Sequence, residues 1–248
     1  MSDAAAPRPG EPTIGERHTP LREQVLDALR SRIINGVYAP GQRLTEERLA
    51  EDFGVSRNPV REALRVVQAE GFVLELPRRG VIVASPDPTS MRDLFAVRRR
   101  LETLAARQAA ERAGPVDIVG LRDLLDGARR GTEVQDFDLV AELNSALHRR
   151  IIDIGGNRWL GTLSVSLYRH VEWVFRLGVV DRAPHSWTEH VRLVEAIASG
   201  DPEAAEQAAA EHVDAAAAAA LPDASAPSPS HDVPGARAPL SPLPDRPA

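Results

Sequence analysis

The run Ser85-Pro86-Asp87-Pro88 divides this chain into two parts of different character. Two prolines in four residues remove two backbone donors and push their neighbours toward extended conformations, so no regular element runs through. Upstream the periodic segments are short and end in two strand-like runs. Downstream every segment repeats with helical period. The chain's 248 residues suffice for two modest domains with separate cores. The organisation read from this is a head over 18–84, a linker at 85–88 and a helical body over 89–220. Residues 1–17 and 221–248, rich in Pro, Ala, Ser and Gly, read as disordered tails.

Composition removes several function classes. Cysteine is absent and all 30 basic residues are arginine. Disulfides, thiolate nucleophiles, Cys-bound zinc, Schiff-base lysines and a phosphate-loop lysine are therefore excluded. No stretch of about 18 apolar residues suggests a membrane span. Met1 to Arg17 lacks the apolar core of a secretory signal, so a cytoplasmic protein with no membrane part is expected. Net charge is −6 overall, but residues 18–84 hold ten Arg against nine acids and come to +1. A near-neutral head on an acidic body fits a local, not chain-long, nucleic-acid surface.

In the head, Leu21, Val25, Leu29 and Ile33 recur at i+4 and mark a helix that Asn35-Gly36 stops. Thr45 suits the N-cap of a second helix carrying Leu49, Ala50 and Phe53 inward, with Gly54 closing it. A third helix starts near Ser56, capped either by Ser56 or by Asn58 with Pro59 at its first position. Its apolar stripe is Val60, Ala63, Leu64 and Val67, and Gly71 closes it. Val73 to Leu76 and Val81 to Val83 then flank Pro77-Arg78-Arg79-Gly80 and read as a β-hairpin with a basic tip.

Two helices across a Gly-containing turn, then a strand pair, make a winged helix-turn-helix. Arg57, Arg61 and Arg65 lie at i, i+4 and i+8, turned away from the apolar stripe. Such a row at the front of a recognition helix reaches phosphates and guanine edges, and Arg78 and Arg79 at the hairpin tip track a neighbouring groove. The alternative is a solvated charged helix, since Glu62 and Glu70 also sit there.

The body offers six helical segments, roughly 89–113, 115–130, 134–154, 158–178, 185–199 and 202–220, separated by Gly114-Pro115, Gly131, Gly155-Gly156-Asn157, Ala183-Pro184 and Ser199 to Pro202. Short breaks between long helices imply an antiparallel bundle, so the fold class is mainly α. Ala215 to Ala220 reads as a strong helix former. Four polar residues stand where the period asks for apolar ones: Asn144, His148, His190 and His212. His190 and His212 are each roughly 15 Å from the Gly200-Asp201 turn at about 1.5 Å per residue, so an antiparallel pair brings them level. His170 and His148 are not level about Gly156. Level imidazoles, with a third and an amide oxygen from one helical turn, are able to hold a divalent metal; core histidines bonded to carbonyls or acids are the alternative. Arg98 also falls on a buried face, where it needs either an acid of the bundle, Glu102 being the nearest, or an acidic ligand.

The segment Pro40-Gly41-Gln42-Arg43-Leu44-Thr45-Glu46, with Leu49-Ala50 and then Gly54 through Leu64, resembles the head of the GntR family of regulators. The resemblance implies DNA contact by Arg57 and Arg61, support from Ser56 and Asn58, and Gly80 letting the wing approach the backbone. Where some relatives carry a basic residue, this chain has Glu47. Residues 89–220 resemble the FadR-type ligand-binding domain, FCD, through Asp93-Leu94-Phe95, Arg98, Leu101-Glu102, Leu143-Asn144, Leu147-His148, Gly155-Gly156-Asn157, Glu189-His190, Ala196-Ile197, Gly200-Asp201 and His212. Many such domains bind zinc or a similar ion through one Asp and three His. The equivalents are Asn144, His148, His190 and His212, with Asn in place of Asp. A homodimeric regulator on a palindromic operator, tuned by a small organic acid beside a metal, is the resulting expectation. The rival is a metal-dependent hydrolase on a helical bundle, against which stand the lack of a placed general base and the unexplained head.

Overall fold

The computed structural model describes residues 20–221; the two tails read from the sequence lie outside that range but for Leu221. The head comprises α1 (Leu21–Ile34), β1 (Arg43–Leu44), α2 (Glu46–Phe53), α3 (Arg57–Ala69), β2 (Val73–Leu76) and β3 (Gly80–Val83). Thr45 caps α2 as its composition suggests, its Oγ1 accepting from the Arg48 N–H at 3.3 Å. Gly54 then ends α2 at φ +66°, a left-handed conformation that a Cβ disfavours. Ser56 is the N-cap of α3, so the alternative cap at Asn58 is not adopted. Pro59 sits in the first turn, where amides have no intrahelical partner and a missing N–H costs little.

The wing is larger than the sequence suggests. β3 lies between β1 and β2 in a three-stranded antiparallel sheet, with Leu44 opposite Val81 and Val73 opposite Val83. β1 has only two residues, too short for any alternation to betray it. The head core is fully buried Leu29, Ile33, Leu49, Val60, Val67, Phe72, Val73 and Val83. Leu21, the first member of the α1 stripe, is exposed instead.

The body comprises α4 (Pro88–Arg112), α5 (Pro115–Glu133), α6 (Phe137–Gly155), α7 (Arg158–Leu177), α8 (Val179–Ala198) and α9 (Pro202–Ala220). Asp87, Asp136, Asn157 and Asp201 start α4, α6, α7 and α9, each accepting an N–H three residues on at 2.8–3.1 Å. Two expected breaks move. Gly131 does not end its helix: α5 runs to Glu133, and a Cβ on buried Gly131 would lie 3.0 Å from Val140 Cγ2. That glycine allows α6 to approach closely. The break placed at Ala183-Pro184 falls at Gly178, and Pro184 lies inside α8. The carbonyl that Pro184 leaves unbonded belongs to exposed Val180.

Ala105 and Ala109 of α4, Ala205 and Ala209 of α9, and Leu121, Leu147, Leu193, Val194 and Ile197 form the bundle core. Small residues on both α4 and α9 let these two helices pack closely along their length. The head meets the body through α7. Trp173 joins the head core, and Phe72 stacks on His170 at 4.3 Å between ring centroids. Glu70 accepts from Arg30 at 2.8 and 2.9 Å and from Arg169 at 3.4 Å. Among the described residues, no helix is long and apolar enough to cross a membrane.

Candidate functional site

Two surfaces carry the residues singled out above. The first is the front of α3 with the β2–β3 turn. Ser56, Arg57, Asn58, Arg61 and Arg65 are all exposed there, and the Ser56 side chain makes no cap bond to its own helix. Arg78 and Arg79 are exposed at the wing tip. Arg78 and Gly80 both take left-handed φ, +64° and +73°, which sets the tight turn. The arginines are not bare. Arg57 Nη2 donates to Glu47 at 2.7 Å, and Arg61 grips Glu46 through Nε and Nη2 at 2.7 and 2.8 Å. Arg65 bonds Glu62 at 3.1 Å. The Arg61 pair holds the Glu46 carboxyl below its usual range. Sequence periodicity missed the Arg57 and Arg61 pairs because they join α2 to α3 across the turn.

The second is the centre of the bundle. His148 of α6, His190 of α8 and His212 of α9 are all buried, with one ring nitrogen of each within 4.8 Å of the others. His190 and His212 Nε2 atoms are 3.3 Å apart. Behind two of the rings stand carboxylates. His212 Nδ1 is 2.8 Å from Glu189 Oε2, and His148 Nδ1 is 3.3 Å from Glu102 Oε2. A carboxylate only accepts, so His212 Nδ1 carries the proton and its Nε2 lone pair points into the cluster; Arg98 Nη2, which only donates, gives His148 the same tautomer. That tautomer, fixed in His212 by the carboxylate behind the ring, is the one a metal requires. Burial holds all three imidazoles well below their ordinary pKa of 6.5, aided by the positive charge of Arg98, so their lone pairs stay available.

Arg98 of α4 reaches the same centre. Its Nε donates to Glu102 Oε1 at 2.6 Å, and its Nη2 lies 3.0 Å from His212 Nε2 and 3.4 Å from His148 Nε2. Tyr168 of α7 donates to Glu102 Oε1 at 3.1 Å, and burial with that carboxylate pushes its phenol well above 10.0. Glu102 Oε2 has no hydrogen-bond partner within normal geometry. Arg182 of α8 pairs with Glu189, leaving its buried Nε without a partner. Two guanidinium groups thus face two carboxylates around three neutral imidazoles, and the cluster is balanced in charge. Asn144, buried one turn before His148, lines a small gap with Ser186 and His190. His170 is elsewhere, against Phe72.

Glu189 and Arg182 were missed as site residues. Arg182, Ser186 and His190 are spaced at i+4 and all are buried, a polar face that helical period reveals once Pro184 is read as inside the helix. A cavity of about 590 Å³ opens beside Arg98 and Arg182, walled by Phe95, Val171, Phe175 and the last turns of α9.

Comparison with known proteins identifies both parts of the chain. Residues 21–83 match the gntR family of bacterial regulatory proteins, and residues 93–215 match the FCD domain. The HTH-type transcriptional regulator YdhC of Bacillus subtilis (strain 168) is 30% identical over 198 residues, covering 77% of this chain and 87% of the relative. The galactonate operon transcriptional repressor of Escherichia coli (strain K12) is 29% identical over 210 residues, 75% of this chain and 91% of that one. A solved GntR regulator from Rhodococcus sp. RHA1 superposes with TM-score 0.70 at 27% identity, covering 82% of this chain and 98% of the other. E. coli McbR/YncC shares the fold with TM-score 0.71 at 22% identity, over 82% and 98% of the two chains. Relatives and neighbours alike are regulators, so the hydrolase reading falls. The chain belongs to the GntR family: it is a DNA-binding transcriptional regulator whose winged helix-turn-helix head is joined to an FCD effector-binding domain.

Proposed function

We propose that this regulator senses a small organic acid bound beside a divalent ion in the bundle centre, and that acid binding changes its hold on a palindromic operator bound as a homodimer in the cytoplasm. In this reading Ser56, Arg57, Asn58, Arg61 and Arg65 contact the operator, with Arg78, Arg79 and Gly80 at the wing. His148, His190 and His212 hold the ion, zinc in the first instance, and the Asn144 carbonyl oxygen completes the set. Arg98, anchored by Glu102, takes the acid.

One observation carries the reading: three buried, uncharged imidazoles bring one ring nitrogen each within 4.8 Å of the others, with the Glu189 carboxylate orienting His212. A bound ion supplies positive charge and open coordination positions for a carboxylate oxygen. The charge balance of the cluster then favours an anion, because two arginines are already matched by Glu102 and Glu189. Arg98 Nη2 and an ion draw on the same lone pairs of His148 and His212, so a guanidinium relieved of them turns to a carboxylate by paired hydrogen bonds. The test is a gel-shift titration of wild type and Arg98→Ala with carboxylic acids drawn from the metabolism encoded beside this gene. The expected result is intact operator binding with the acid response abolished. Wild-type acid dependence in Arg98→Ala reduces Arg98 and Glu102 to an internal ion pair.

A further inference from the structure

The cavity of about 590 Å³ has one polar end and otherwise apolar walls. At the polar end stand Arg98 and Arg182, with Asp181, His185 and Glu189 of α8 beside them. Arg182 is only 8% exposed, and its Nε–H has no hydrogen-bond partner although Glu189 takes its Nη2. A buried donor without a partner is costly, so this one points to an acceptor delivered through the cavity. From there Phe95, Val171, Val174 and Phe175 make the walls on α4 and α7. The opposite wall is α9, where Ala215, Ala216 and Ala219 line the cavity. They follow His212 at i+3, i+4 and i+7, on the face that carries the imidazole. The Ala-rich end of α9 is thus more than a stable helix: its side chains are too short to fill the space in front of them. The face extends about 10 Å from His212 to Ala219. A small hydrophilic acid satisfies the polar end and leaves these walls wet.

We propose that the effector is a monocarboxylate with an apolar alkyl or aryl body, its carboxylate held between Arg98 and the Nε–H of Arg182 and its body laid along the alanine face of α9. This rests on the carboxylate reading above and narrows it. Volumes of 300–1,000 Å³ with few polar groups are typical of sites that enclose such ligands.

The experiment is calorimetric titration of the full chain with the straight-chain acids from acetate to octanoate, with succinate and citrate as polar competitors. Affinity should rise about three- to fourfold per methylene until the cavity is filled. In Ala219→Leu and Ala215→Leu that increment should vanish beyond the shortest acids, with operator binding unchanged. In Arg182→Lys, which keeps a cation for Glu189 but loses Nε–H, all acids should weaken alike and the increment should persist. A flat series, or binding of succinate and citrate alone, overturns this proposal and leaves the carboxylate reading standing. Binding of no acid in the series, succinate and citrate included, overturns both.

Discussion

Arg57 and Arg61, the arginines proposed to contact the operator, lie on a surface kept neutral by its own acids. Each is exposed and each is held by an acid of the preceding helix, Glu47 and Glu46. Exposed pairs of this kind are worth about 0–1 kcal/mol, small beside the 1–3 kcal/mol of a bidentate contact to guanine. DNA can therefore displace them, but at some loss. Glu46→Gln and Glu47→Gln should each raise operator affinity by about two- to fivefold at fixed salt, read by fluorescence anisotropy; weaker binding would mean the acids position the arginines. Arg57→Ala or Arg61→Ala should cost about 1–3 kcal/mol of specific binding. In the bundle, the neutral histidines give a second expectation. Their folded pKa values lie below 6.5 while unfolded ones sit near it, so at acid pH the unfolded chain binds more protons. Chelator-treated protein should hold its full stability above about pH 6.5 and lose it progressively below, in urea melts at stepped pH.

At the scale of elements, the sequence spoke through periodicity and fell silent where packing decided. The level placement of His190 and His212 about Gly200 follows from helix rise alone, and the two Nε2 atoms are 3.3 Å apart. Reading Pro184 as a break cut Arg182 from the helix that carries His190, and the cavity's second guanidinium went unseen. Proline is tolerated six residues into α8, and no local signal says so, because the tolerance depends on what surrounds the orphaned carbonyl. Gly131 misled for a similar reason: its role is to admit Val140 of the next helix, a contact that composition does not reveal. Two of the three glycines of α5 make the difference measurable. Gly120 has open space where a Cβ would go, so Gly120→Ala should stabilise by about 0.5–1 kcal/mol through helix propensity. Gly131→Ala should lose that gain to crowding and come out neutral to about 2 kcal/mol destabilising in the same melts.

Across the whole molecule, α7 is the element that touches both the cluster and the head. Tyr168 bonds Glu102, while two residues on His170 stacks on Phe72 and Arg169 reaches Glu70. In the proposed reading, a shift of Glu102 on acid binding would have a direct mechanical route to the head core, where Trp173 is buried. Typical couplings of this kind are about 1–3 kcal/mol. His170→Ala should shrink the acid's effect on operator affinity while leaving acid affinity itself unchanged, as separate titrations would report. The central claim remains that the three imidazoles hold an ion. The most direct measurement is elemental analysis of protein purified without a nickel column, for wild type, His190→Ala, His212→Ala and Asn144→Asp. The account predicts about one divalent ion per wild-type chain, its loss in either histidine variant and tighter retention against chelator in Asn144→Asp, where a negative ligand replaces a neutral one. A metal-free wild-type chain that is folded, binds its operator and still responds to the acid would contradict it.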